Sequence, residues 1–231
     1  GIGAADDLRA HGIGVVVDLP AVGRNLQDHL KLSVRWNGKT TLPGSSVVAG
    51  LFTSSSDGEG DLQFIVGRGL DQPDDFITIT VSHLKPRSRG AITLRSSDPF
   101  AMPIIRANYL TDVHDVDVLV DGVALARRLG ESPAYDHLRG EEIEPGRSVH
   151  DIARFARLKS DSIYHASGTC RMGPATDREA VVDGELRVHG IDGVRVADAS
   201  IMPEIVNAPT HAACVMIGEK CASIIASVMT R

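Results

Sequence analysis

The sequence predicts a mixed α+β fold, in which α/β segments at both ends flank a middle part built on an antiparallel sheet covered by helices. Three patterns predict it. Apolar and polar residues alternate in runs between Lys31 and Ser97. The spacing turns helical from Thr111 to Leu129 and again from Ser148 to Lys159. The two ends carry apolar runs that do not alternate, each beside a helical stretch. An insertion between two halves of one domain accounts for this order, with boundaries at residues 1–30, 31–160 and 161–231.

Each element follows from its residues. "GIGAADDLRAHG" reads as a glycine turn and a short helix, with Asp6 and Asp7 in the first turn and Gly12 closing it. "IGVVVDLP", bounded by Gly12 and Pro20, is expected as a strand buried on both faces or an extended segment inside an α/β domain. "VGRNLQDHL" is polar and irregular. Four runs then have period two: Leu32, Val34, Trp36; Leu62, Phe64, Val66; Ile77, Ile79, Val81; and Ile92, Leu94. "SSSDGEGD" is a surface loop by composition. Thr111 is the expected cap of a helix whose Val113, Val116, Val120 and Val123 form one stripe, and that helix should cover the sheet. "GVRVADAS" is expected as a buried strand, and His211 to Met229 as a long terminal helix.

Composition excludes several classes of partner. With 42% hydrophobic and 23% charged residues the 231-residue chain is globular, and its net charge of −6 is spread without a basic cluster for nucleic acid or anionic lipid. The apolar stretches "AACVMIG" and "IIASVM" are broken by Gly218, Glu219 and Lys220, so no membrane partner is expected. Cys170, Cys214 and Cys221 have neither disulfide-framework nor zinc-site spacing, which points to a reducing, cytoplasmic setting. The opening "GIGAADDLRA" reads as the back part of a longer protein, and the sequence does not reveal an oligomeric state.

Of nine histidines, His11, His83, His114, His137, His150 and His189 fall at helix ends, loops or polar strand positions and suit structural roles. His29, His165 and His211 stand apart. No His-Glu-x-x-His helix and no ligand-spaced cluster is present, so no metal is expected, and no Gly-x-Ser-x-Gly elbow supports a serine hydrolase. Cys170, followed by Arg171 and Met172 with no base beside it, reads as a buried small residue. The segments "YHASGTCRMG" and "VADASIMPEIVNAPTHAACVMIGEK" are punctuated loops that enter or leave α/β elements, where sites are commonly built. Histidine there suits a base: a neutral imidazole accepts a hydroxyl proton while a cofactor takes hydride.

These segments, with "GIGAADDLRAHGIGVVVDLPAVGRNLQDH", "SRGAITLRSSDPFAMPIIRANYL" and "VVDGELRVHGIDGVRVADASIMPEI", resemble the C-terminal half of the glucose-methanol-choline (GMC) family of FAD-dependent alcohol oxidoreductases. The resemblance covers nearly all of the chain. It implies that 1–30 and 161–231 belong to an α/β FAD-binding domain and 31–160 to a substrate-binding domain. It implies His165 as the base that takes the alcohol proton, and places Asp198, Ala199, Thr210, His211 and Asn25 at the cofactor, FAD. The implied partners are a small-molecule alcohol and the N-terminal FAD-binding portion.

Two departures qualify the resemblance. Pro209 stands where a second catalytic His or Asn is implied, and proline has no side-chain donor or acceptor; His211, two residues on, either takes that place or contacts the flavin while His165 works alone. The connection from Trp36 to Ser46 is short where relatives carry a lid-like excursion. The glycine-rich dinucleotide fingerprint does not occur in the 231 residues, so the piece alone is expected to bind FAD poorly. Alcohol oxidation is the leading expectation. A hydroxynitrile lyase on the same scaffold and an inactive remnant remain alternatives, because fold alone does not fix the reaction.

Overall fold

Alternation in the middle of the chain becomes a sheet, and capping carboxylates start the two helices of the same unit. The computed structural model describes residues 1–39, 47–56, 59–67 and 76–229. The short connection from Trp36 to Ser46 lies largely outside the described residues, as do Asp57 and Gly58 of the expected surface loop.

In chain order the elements are β1 (Ile2–Gly3), α1 (Ala5–Ala10), β2 (Val17–Asp18), β3 (Leu30–Gly38), β4 (Val47–Thr53), β5 (Leu62–Gly67), β6 (Phe76–His83), β7 (Ala91–Thr93), β8 (Ile104–Arg106), α2 (Val113–Gly130), β9 (Arg139–Glu144), α3 (Ile152–Lys159), β10 (Asp161–Ser162) and α4 (His211–Met229). They form two compact units. One comprises residues 1–28, 88–111 and 164–231; the other comprises 29–87 and 112–163. The expected middle segment differs at 88–111, which joins the unit of the chain ends. The cause is local pairing: Leu26 and Gly90 exchange backbone hydrogen bonds of 3.0 and 2.8 Å, and the Ile92 N–H donates to Gly23 O at 2.7 Å.

In the second unit β3, β6, β5 and β4 are antiparallel neighbours, with β10 and β9 pairing different stretches of β3. The register sets Leu32 opposite Val81, Val34 opposite Ile79 and Phe64 opposite Val81, so the alternating apolar residues share one buried face. Helix α2 packs on this sheet. Its Gly122, Ala126 and Gly130 recur every four residues, one stripe of a helix; a Cβ on Gly122 would run into Val81 and Leu62, and one on Gly130 would sit 2.5 Å from the Trp36 ring. Asp115 in the first turn of α2 accepts from His83 Nε2 at 3.2 Å and from the Arg87 N–H at 2.8 Å, anchoring the helix start. The cap is Asp112, whose carboxylate accepts the His114 N–H, while Thr111 donates its hydroxyl to Asn108 O. Val113 is exposed, so the buried stripe runs through Val116, Leu119 and Val123 instead.

Further expectations shift. The fourth alternating run leaves the main sheet, because Ile92 pairs with Ile105 in the separate β7–β8 hairpin and Leu94 is exposed. Helix α3 starts at Ile152, capped by Asp151, rather than at Ser148. "IGVVVDLP" yields only the two residues of β2, paired with β1, and Val16 is 69% exposed. "GVRVADAS" forms no strand; one isolated bridge joins Arg195 to Arg187.

The core of the first unit gathers Ala21, Val181, Val182, Leu186, Val188, Ile201, Met202, Ile217 and Cys221. Ile217 and Cys221 belong to α4, so one stripe of the terminal helix is buried there. By length and composition His211–Val228 is apolar enough to cross a membrane, with a mean hydropathy of 1.3. Glu219 and Lys220 fall at the centre of that span, where a charge is most costly in lipid; Ile217 and Cys221 pack into the core of the first unit, and 11% of the span is buried.

Candidate active site

Within the stretch Asn25–Asp28, Asn25, Gln27 and Asp28 fix the loop that bears His165, while Leu26 pairs with Gly90. Gln27 and Ser167 exchange backbone hydrogen bonds of 3.0 and 2.9 Å. Asn25 lies in the left-handed region at φ 59°, which asparagine tolerates better than most residues. From there its Nδ2 donates to Gly168 O and Pro203 O, both at 3.2 Å, and its Oδ1 accepts from Arg89 Nε at 3.1 Å. Gln27 is buried; its Nε2 donates to Pro203 O at 3.1 Å and its Oε1 accepts the Ile205 N–H at 3.2 Å. Asp28 Oδ1 accepts the His165 backbone N–H at 2.9 Å, and Oδ2 accepts the Tyr109 hydroxyl at 2.6 Å.

The loop itself is shaped for this grip. Tyr164 at φ 63° turns the chain just before His165, and the Ser167 hydroxyl donates to His165 O at 2.8 Å. Gly168 has φ 90°, and a Cβ there would stand 2.5 Å from Asn25 O, so only glycine fits. Beyond it the chain runs beside the 199–201 turn: the N–H groups of Gly168, Cys170 and Met172 donate to Ala199 O, Ser200 O and Ile201 O.

Charge and burial set the chemistry. Burial pushes the His165 imidazole below its ordinary value, and the negative Asp28 opposes that shift without reversing it. The net direction keeps the ring neutral near pH 7, ready to accept a proton. Burial pushes the Cys170 thiol up, with Asp198 adding to the shift and Ser200 opposing it, so this thiol stays protonated and is a poor nucleophile.

The remaining expected residues lie nearby in the same unit. Asp198 is exposed and caps the 199–201 turn by accepting the Ser200 N–H at 2.7 Å. Ala199 is half-buried and joins that turn to Gly168. Thr210 is buried at the entry to α4, its carbonyl accepting the Cys214 N–H, and His211 is the exposed first residue of the helix, which packs against the 199–201 turn. Pro209 is exposed. Asn25 has its amide oxygen and nitrogen engaged by protein groups, a scaffold role within this unit. Gln27, Asp28, Arg89 and Tyr109 escaped the residue-by-residue reading. The first two sit inside "NLQDH", beside Asn25, so the motif held their signal; nothing local marked Tyr109.

The profile of the GMC oxidoreductase family matches residues 86–218. The chain belongs to this family. Choline oxidase of Arthrobacter globiformis is 36% identical over 247 residues, covering 98% of this chain and 45% of that protein. Human mitochondrial choline dehydrogenase is 35% identical over 263 residues, covering 97% and 44%. Among solved structures, pyridoxine 4-oxidase from Mesorbium loti has a TM-score of 0.86 at 28% identity, over 96% of this chain and 47% of that one. The chain therefore spans about half the length of the curated relatives it matches. Neighbours in the GMC oxidoreductase family are FAD-dependent.

Proposed function

We propose that this chain forms the catalytic and substrate-side part of an enzyme that oxidises a small alcohol to an aldehyde or ketone, completed by an N-terminal FAD-binding portion. The observation that carries the reading is His165: a neutral histidine whose backbone is pinned by a carboxylate, in a loop locked at both ends. Alcohol oxidation needs a group that takes the hydroxyl proton as the carbon gives up hydride. The lowered pKa of His165 and its anchored backbone support that role.

The residues present fit the flavin end of FAD. Helix α4 begins at His211, and its first-turn N–H groups favour negative charge, as a flavin acquires on reduction. The adenine diphosphate would fall to the N-terminal portion, since these 231 residues hold no dinucleotide fingerprint. When bound, FAD supplies the acceptor for the two electrons. His165 holds the proton, Asp198 and Ala199 shape the cofactor-side turn, and Thr210 and His211 border it. His211, with two ring nitrogens where Pro209 has none, is the second proton-handling group.

The test is the absorbance spectrum of the protein encoded by the complete open reading frame, followed under anaerobic addition of choline, pyridoxine and benzyl alcohol. A flavin spectrum bleached by one of these alcohols supports the reading. A flavin spectrum unchanged by all three, with cleavage of mandelonitrile, replaces it with the lyase; a protein that binds no flavin overturns it.

A further inference from the structure

We infer that Asp28 is a positioning residue for His165, and that Tyr109 holds Asp28 in place. The inference rests on the proposed role of His165 and adds the groups that set where its imidazole stands. One carboxylate is divided between two partners: Oδ1 takes the His165 backbone N–H at 2.9 Å, and Oδ2 takes the Tyr109 hydroxyl at 2.6 Å. Asp28 is only 5% exposed, so both bonds are shielded from competing water. A buried carboxylate is costly unless its oxygens are satisfied, and charge-assisted bonds of this length are the strong ones.

The geometry constrains His165 at its own backbone, one residue after the left-handed Tyr164 and three before Gly168. Asn25 and Gln27 hold the end of the loop and the adjoining 203–205 segment, and Asp28 reaches His165 itself. The charge of Asp28 also lies close enough to favour the protonated ring that proton abstraction creates. Among the groups around this network, Tyr109 is neutral and donates to Asp28, and Arg89 is engaged by Asn25 Oδ1 and Ser88 O. A shift of about 1 Å at a reacting group costs on the order of 100-fold in rate, so a backbone anchor at the base matters.

The test uses the complete flavoprotein with Asp28→Ala, Asp28→Asn and Tyr109→Phe. Two readouts are taken: hydrogen exchange of the peptide containing the His165 amide, and the limiting rate of anaerobic flavin reduction by choline, or whichever alcohol bleaches the wild type, as a function of pH. Asp28→Ala is expected to speed exchange at that amide and to slow reduction about 10- to 100-fold, with a smaller effect on KM. Asp28→Asn keeps an acceptor oxygen and loses the charge; it should restore part of the protection and move the acid limb of the pH profile to lower pH. Tyr109→Phe should fall between wild type and Asp28→Ala in exchange. Native protection of the His165 amide in both Asp28→Ala and Asp28→Asn overturns the inference. If no alcohol reduces the wild-type flavin, the functional reading fails while the exchange measurement still decides whether Asp28 anchors His165.

Discussion

His165 serves as a base only while its ring is neutral, and burial favours that form against the pull of Asp28. The sign of the pH effect follows. Because its pKa lies below the ordinary 6.5, the fraction of enzyme with a free imidazole rises with pH through that lowered value and is then flat. The limiting rate of flavin reduction should therefore climb on the acid side, with its midpoint below 6.5, and level off by neutrality. A stopped-flow pH series checks this, and a rate that falls across that range would exclude a neutral histidine base. His165 was legible in the sequence because its loop is a recognisable string. Tyr109 was not, because its bond to Asp28 joins residues 81 positions apart and leaves no local pattern.

Helix α2 shows how the elements hold the second unit together. Small residues at 122, 126 and 130 let the helix backbone approach the sheet, and Trp36 fills the space beside Gly130. Gly122→Ala would gain up to about 1 kcal/mol of helix propensity. It would force Val81 and Leu62 aside, a strain of about 1–3 kcal/mol in a packed core. The net expectation is a lower melting temperature for the complete protein in a thermal scan; an unchanged or higher one would mean that the stripe does not set the packing distance. The helix was legible from period 3.6, with Val116 and Val123 on its buried side, but the small residues at 122, 126 and 130 were not singled out and Val113 turns outward. The cap was not legible, since Thr111 and Asp112 are both good caps and only the structure shows which oxygen meets the His114 N–H. Strand β4 also escaped notice: Gly50 interrupts "VVAGLFT", and its apolar residues do not alternate cleanly.

At the scale of the whole molecule the chain passes between its two units four times, and the unit of the chain ends gathers three separate segments. Order along the sequence suggested consecutive blocks, because periodicity reports local structure and says nothing of which hairpin returns to which unit. The β7–β8 hairpin returns through Leu26, Gly90 and Ile92, pairings too distant in sequence to be read from it. The same unit exposes Val16, Phe100, Met102, Val215 and Met216, apolar surface of the sort that invites cover. The proposal built on the family relation and the pinned histidine comes down to one claim: His165 takes the proton in an FAD-linked alcohol oxidation. The measurement that reaches this claim most directly is the limiting rate of anaerobic flavin reduction in the complete enzyme, wild type against His165→Ala, with choline or the alcohol that bleaches the wild type. Loss of a base should slow it by about 100- to 10,000-fold while the oxidised flavin spectrum stays unchanged. A variant that reduces its flavin at the wild-type rate would contradict the account.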